Sequence, residues 1–248
     1  AREAGERRRT LEIRGLRVAY DANVALAGVD VRVEAGSVVG VIGPNGSGKS
    51  TLLKTIAGVL RASRGEILLG GRPIREEAAR IAFVPQREEV NWDFPVTARD
   101  VVLMGRYRSA GWFRWPGRDD RQLAEGALEA VGLGGLGHRH ISQFSGGQQQ
   151  RIFMARAMVQ EPALVLLDEP FTGVDVQNRA TFQERIQAFA RAGIAVLRAG
   201  RLVATMAARD TTKSALAEVM VGRAIPPPVT KPHSRGDTVC VIDRVSMH

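Results

Sequence analysis

VVGVIGPNGSGKST, residues 38–51, is the stretch from which the rest of the chain can be read. Val38, Val39, Val41 and Ile42 make an apolar run without polar alternation, the pattern of a strand buried on both faces of a parallel sheet. The run passes into Gly43-x-x-x-x-Gly48-Lys49-Ser50, and Leu52–Ala57 continues as a helix. Strand, glycine loop and helix in that order are what a phosphate-binding loop requires. Glycines let backbone N–H groups turn inward around an anion, and the helix N-terminus adds its partial positive charge. Gly43, Asn45, Gly46, Gly48, Lys49, Ser50 and Thr51 are therefore the expected nucleotide-binding residues. Lys49 would reach the β- and γ-phosphates, and the Ser50 hydroxyl would hold Mg²⁺. A glycine-rich turn that merely contains Lys and Ser would leave the filling of every constrained position to chance. The expectation is a nucleoside triphosphate site.

Composition sets the outer bounds. A chain of 248 residues with 44% hydrophobic and 25% charged residues has enough apolar material for a proper core and reads as globular. Its longest apolar runs, such as Leu164–Leu167 and Ile194–Leu197, are too short to span a bilayer. No N-terminal stretch joins a positive start to an apolar run, so no secretion signal is expected, and the opening residues through Arg9 read as a polar end. One cysteine, Cys240, excludes an internal disulfide and favours a reducing compartment. The formal charge of +9 comes from scattered arginines, without a block of five like charges. That distribution favours a solvated basic surface beside membrane lipid over nucleic-acid recognition.

Taken in order, Leu11–Tyr20 and Val29–Val33 alternate as strands, and Gly65–Leu69 and Ile81–Val84 are further short strands around a turn at Gly70–Pro73. Thr97–Met104 and Asp119–Val131 read as helices, separated by a loop over Arg106–Gly117 that carries Trp112, Phe113 and Trp115. Those aromatics fit a partner surface or a local packing cluster. Gln149–Gln160 reads as an amphipathic helix, with Ile152, Ala155 and Val159 on one face and Arg151 and Arg156 elsewhere. Ala163–Leu167 is a second buried strand, Gln177–Ala192 a helix closed by Gly193, and Ile194–Leu197 the start of another strand.

Two further motifs carry chemistry. Leu164–Leu167 delivers Asp168 and Glu169 at the C-terminal end of an apolar strand. In a nucleotide site the first carboxylate holds Mg²⁺ and the second orients and polarises the attacking water. Ser145-Gly146-Gly147-Gln148, after Phe144, opens the Gln149–Gln160 helix. A hydroxyl and two glycines at a helix start serve as an N-cap and as a second anion site. One γ-phosphate does not need two such sites in one chain, so the second is expected to face the nucleotide of another copy.

Phosphate loop, SGGQ and apolar-Asp-Glu, in this order over Leu11–Leu197, resemble the ATP-binding cassette (ABC) subunits of membrane transporters. NWDFPVT (91–97), DVVLMGRY (100–107) and FSGGQQQR (144–151) resemble the manganese, zinc and iron importers within that family. The resemblance implies ATP as the nucleotide and Mg²⁺ as cofactor. It implies that Tyr20 stacks on adenine, and that Gln86, after IAFVP (81–85), senses Mg²⁺ and the γ-phosphate and couples to the membrane subunit. Asp175 in TGVD (172–175) matches a dimer-contact aspartate. Cassettes of the family work as head-to-tail pairs, each SGGQ closing over the other copy's ATP. They act with membrane-spanning permease subunits and, indirectly, with an external substrate-binding protein. The location implied is peripheral, at the cytoplasmic face of the cell membrane. The surface around Gln86–Tyr107 is expected to dock the permease, with Arg106 and Arg108 within it. His138 and His140, in a glycine-rich loop, read as a solvated pair and not as a metal site.

The family pattern then breaks. Its switch histidine, counted from Glu169, falls near Gly200, where the sequence is Leu197-Arg198-Ala199-Gly200-Arg201. The histidine, the helix after it and one more strand are expected to be missing between Leu197 and Arg198, leaving part of the sheet uncovered. Residues 198–223 resemble the end of the first cassette of tandem sugar-importer ATPases, Pro226–Pro232 a stiff linker and Asp237–Ser246 the opening of a second cassette. A natural fusion or decayed gene, an error in the sequence, and an omitted segment all fit this junction.

The fold expected is α/β, a P-loop parallel-sheet core with an antiparallel strand layer and a helical subdomain, incomplete after residue 197. The cassette would span 1–197, with its core at 11–86 and 161–197 and a helical insertion at 87–160, followed by a tail over 198–248. The expected function is ATP hydrolysis powering import of a metal ion. The alternative is a truncated or fused cassette that binds ATP with little turnover. A soluble ABC ATPase acting on ribosomes or DNA is disfavoured, because the chain has one cassette and no sustained heptads.

Overall fold

The computed structural model describes residues 10–21, 23–86, 94–110, 116–170, 176–201 and 238–241. The alternating N-terminal stretch folds as an antiparallel layer. β1 (Leu11–Tyr20) buries Leu11, Ile13, Leu16 and Val18, and β2 (Asn23–Val33) returns beside it with Tyr20 paired to Asn23. β2 thus begins well before Val29, because hairpin register and not side-chain alternation holds its first half. β4 (Arg64–Leu69) pairs with the other edge of β1, and Gly70 and Gly71, with φ of 62° and 79°, reverse the chain into the two-residue β5 (Arg72–Pro73). The expected turn therefore ends as a fourth strand, giving the order β2-β1-β4-β5.

The apolar runs build the second sheet. β3 (Val38–Gly43), β6 (Ile81–Val84), β7 (Leu164–Asp168), β8 (Ala195–Arg201) and β9 (Thr238–Val241) are parallel and lie in the order β6-β7-β8-β3-β9. Around it stand α1 (Lys49–Ile56), α2 (Ala98–Ala110), α3 (Arg118–Ala130), α4 (Gly146–Val159) and α5 (Val176–Arg191). Strands apolar at every position serve two cores at once. Leu164, Leu166, Ala195, Leu197 and Ala199 pack with α1 and the antiparallel layer, while Val165, Leu167 and Val196 pack with the helices on the opposite face. Each fully buried Leu or Val there contributes about 1.5–3 kcal/mol, so neither face tolerates a polar substitution. The parallel core, antiparallel layer and helical subdomain are the expected α/β fold.

Three local readings change. α2 runs on to Ala110, so the helix covers residues assigned to the loop, and Trp112, Phe113 and Trp115 lie outside the described residues. α4 starts at Gly146 and is not amphipathic. Gln149, Gln150, Ile152, Phe153, Met154, Ala155, Ala157 and Val159 are all buried, because α2, α3 and β6 enclose it. β8 continues without interruption through Leu197 and Arg198 to Arg201, paired with β7 on one side and β3 on the other. The sequence predicts an uncovered part of the sheet; the edge of β3 away from β8 is taken by Thr238–Val241, and β8 itself carries Arg-Ala-Gly-Arg because a parallel ladder is made by backbone groups.

The arginines are not all surface charge. Arg151 of α4 donates to Val131 O at 3.0 Å, and Arg185 of α5 donates to Ala130 O, so two guanidinium groups close the carbonyl end of α3. Arg106 of α2 donates to Val159 O at 3.1 Å at the end of α4 and pairs with the buried Asp120 at 3.0 Å. At the end of α3 the arginines add charge to a glycine stop, where Gly132 takes φ 73° and Leu133 N donates to Leu128 O at 2.8 Å.

Candidate nucleotide site

The C-terminal ends of the parallel strands gather at one edge of the sheet, where open α/β sheets place their ligand crevice. β3 leads into Pro44–Gly48 and then into α1. Gly48 sits at φ 85° immediately before α1, and a Cβ on it would lie 2.7 Å from Leu26 Cδ2 and 2.8 Å from Ala25 O. Only glycine fits here, so β2 of the antiparallel layer fixes the height of the loop. That role of Ala25 and Leu26 has no signature in the sequence, because it depends on where β2 passes.

Lys49 is buried, and its ammonium donates to Gly43 O at 3.0 Å and Pro44 O at 2.8 Å, lying across the loop it follows. An ammonium has three donors, so two are used in shaping the loop and one remains for a phosphate oxygen. Ser47 is also buried, and among the described residues its Oγ has no hydrogen-bond partner. A buried hydroxyl without a partner inside this glycine loop, before a helix N-terminus, fits an anion there. Tyr20, 46% exposed at the end of β1, has its hydroxyl 3.4 Å from Thr51 Oγ1, which stands its ring beside the start of α1.

On the neighbouring strand, β7 ends at the fully buried Asp168. Glu169 follows with φ 43°, in the left-handed region that non-glycine residues rarely occupy. Such conformations persist only where the surroundings over-determine them, and they cluster at functional sites. β6 pairs Val84 with Leu167, and continuing that register brings Gln86 level with Glu169. The sheet edge therefore collects Gly43–Ser50, Gln86, Asp168 and Glu169. Ser50, Gln86 and Asp168 offer a hydroxyl, an amide and a carboxylate, an oxygen set suited to Mg²⁺.

Ser145–Gln148 begins α4 on the helical side. Ser145 is exposed, its Oγ accepts from Gln148 N at 3.4 Å, and its own N–H donates to Gln148 Oε1 at 2.9 Å. This reciprocal cap leaves the amides of Gly146 and Gly147 at the helix start. Among the described residues, no hydrogen bond joins Ser145–Gln148 to the phosphate loop. Asp175 lies outside the described residues. His140 Nδ1 is 3.1 Å from Ser142 Oγ, and His138 is exposed.

The expected docking surface is partly redrawn. Met104 and Tyr107, one turn apart on α2, are exposed apolar groups. Arg106 between them points inward to Asp120 and Val159 and is an internal tie. The side chain of Arg108 lies outside the described residues.

Comparison with known proteins follows this geometry. Residues 26–172 match the family model described as "ABC transporter". The zinc transport system ATP-binding protein TroB of Treponema pallidum is 51% identical over 165 residues, 66% of this chain and 62% of that protein. The manganese transport system ATP-binding protein MntB of Bacillus subtilis is 42% identical over 187 residues, 75% of each chain. Among solved structures, the ADP conformation of an ATP-binding cassette of an ABC transporter superposes with a TM-score of 0.67 at 25% identity, covering 78% of this chain and 82% of that one.

Proposed function

Because the chain belongs to the ABC transporter family, whose cassettes bind a nucleotide, we propose that it is the ATP-hydrolysing subunit of an importer for manganese, zinc or iron. The observation that carries this reading is the convergence of the phosphate loop on β3 and of Asp168 and Glu169 on β7 at one sheet edge, with only β8 between them. Lys49 and the loop amides hold the triphosphate, and Tyr20 stacks on the adenine. Ser50, Gln86 and Asp168 would hold Mg²⁺, which would supply neutralisation of the phosphate charge. Glu169 accepts a hydrogen bond from the attacking water and aligns it. A second copy supplies Ser145–Gln148 over this nucleotide, and Asp175 belongs to the contact between copies. Mg²⁺, this head-to-tail pairing, separate permease subunits, an external substrate-binding protein and a peripheral place on the cytoplasmic membrane face all belong to the proposal. The names of the zinc and manganese relatives support the choice of cargo.

Cells lacking their own manganese, zinc and iron importers, given this chain with the membrane subunits it co-purifies with, should take up one of these ions. Uptake that Lys49→Ala leaves unchanged would overturn the proposal.

A second reading is favoured by one observation. β8 ends in Gly200-Arg201 between the phosphate loop and the Asp168 strand, with no histidine there. A cassette that binds ATP and turns it over slowly fits that end.

A further inference from the structure

β6 is the outer strand of the parallel sheet, paired only with β7 among the described residues. Its far edge presents carbonyls to α4 and not to another strand. Arg156 Nη2 donates to Phe83 O at 2.6 Å, and Gln160 Nε2 donates to Ile81 O at 2.7 Å and to Ala79 O at 3.2 Å. The spacing explains why both bonds form. Four residues of helix rise about 6 Å and two residues of strand advance about 6.6 Å, so a helix antiparallel to β6 meets alternate carbonyls with side chains one turn apart. The guanidinium of Arg156 also lies over the Phe153 ring, 4.3 Å from its centroid, and burial lowers its pKa to about 10. A charge held out of water is kept here by a charge-assisted bond and a ring face. α2 presses from behind: a Cβ on Gly105 would lie 2.5 Å from Arg156 O, so α4 has no room to lift from the strand.

α4 therefore has two unlike ends. Its N-terminus carries the Ser145–Gln148 anion site, and its C-terminal half is fastened to the strand that leads into Pro85 and Gln86. We propose that Arg156 is a positioning residue whose bond to Phe83 O fixes α4 against the Gln86 strand, so that the Ser145–Gln148 end, which faces the second copy's nucleotide, moves together with Gln86, which faces this chain's own. The proposal rests on the ATPase reading above. Arg156 and Phe83 are not among the residues assigned to the nucleotide, so the joint governs turnover and not ATP affinity.

The test compares Arg156→Met, which keeps length and apolar bulk without a donor, with Arg156→Lys, which restores a cationic donor, in the full chain. A fluorescent ATP analogue reports binding, phosphate release reports kcat and KM, and melting reports the fold. The expected result for Arg156→Met is a loss of about tenfold or more in kcat, the cost of a small misplacement, with affinity changed less than about twofold. Arg156→Lys should recover a substantial part of the loss. Full activity in Arg156→Met, or a parallel fall of affinity, kcat and melting temperature with no rescue by lysine, would overturn the proposal. If the unmodified chain releases no phosphate, the ATPase reading fails by itself, and the joint is then read by amide hydrogen exchange at Ala82–Gln86. Faster exchange there in Arg156→Met but not in Arg156→Lys supports it, and equal exchange in all forms overturns it.

Discussion

Asp168 and Val41 lie level with each other on either side of Ala199, each paired to it across one strand of the parallel sheet. Two strand spacings, about 9–10 Å, separate the β7 carboxylate from the strand that feeds the phosphate loop. The end of β8 occupies the notch between them, with Gly200 paired to Ile42 and Arg201 to Gly43.

The first prediction concerns that notch. The resemblance to the family implies a histidine near that end, and this chain has Gly200-Arg201. Losing one preorganised donor typically costs about 10²–10³ in rate. The chain should bind Mg-ATP but release phosphate at least about a hundredfold slower than a cassette with that histidine. Gly200→His should raise the rate, and adding Glu169→Gln should remove the gain. Brisk phosphate release by the unmodified chain refutes this expectation.

Lys49→Ala removes the one cation that lies across the loop. Charge-assisted bonds of this kind contribute about 1.5–3 kcal/mol each, so affinity for a fluorescent ATP analogue should fall between about tenfold and a hundredfold. Loss of its bonds to Gly43 O and Pro44 O should also loosen the empty loop, readable as faster amide exchange at Gly46–Gly48.

Gly48→Ala should be worse for the fold than its size suggests. The residue combines φ 85° with a Cβ position already filled by Leu26 and Ala25, and such strain costs about 1–3 kcal/mol before any repacking. Thermal melting should drop accordingly, and Gly48→Ala should cost less in a Leu26→Ala background than in the unmodified chain, because one of the two contacts is already vacated. A melting temperature equal to that of the unmodified protein would mean that β2 does not seat the loop.

Charge on α2 should act in two opposite ways. Arg106→Glu places a carboxylate against buried Asp120 and uncaps Val159 O, and should destabilise the helical subdomain by about 3 kcal/mol or more. Tyr107→Glu, on the exposed face, should leave melting and ATP binding intact while weakening capture of the membrane subunit. Capture unaffected by Tyr107→Glu together with Met104→Glu would move the docking surface elsewhere.

The site was legible where chemistry demands particular residues in a short span. Gly43–Ser50, Asp168 and Glu169 announce themselves because a phosphate and its metal tolerate few substitutes, and β3 and β7 because strands buried on both faces must be apolar throughout. Arg106 illustrates what stays hidden. From the sequence it opens the Arg106–Gly117 loop and belongs to the expected docking surface, and only the arrival of the α4 terminus and Asp120 at its guanidinium makes it an internal cap. The same limit applies to α4, which reads as amphipathic and whose Gln149 and Gln150 lie buried among α2, α3 and β6. β8 shows the limit from the other side. Arg198-Ala199-Gly200-Arg201 departs from the family pattern, yet the ladder between β7 and β3 depends on backbone groups and continues through it.

Glu169 holds a conformation that glycine or asparagine would adopt with less strain. Relief of that strain is open to substitution, whereas in the proposed function it is this carboxylate that aligns the attacking water beside Asp168. Improvement of thermal stability and retention of turnover therefore pull this one position in opposite directions. A library screened for heat resistance alone should return Glu169→Gly among its winners, and those winners should be silent as ATPases.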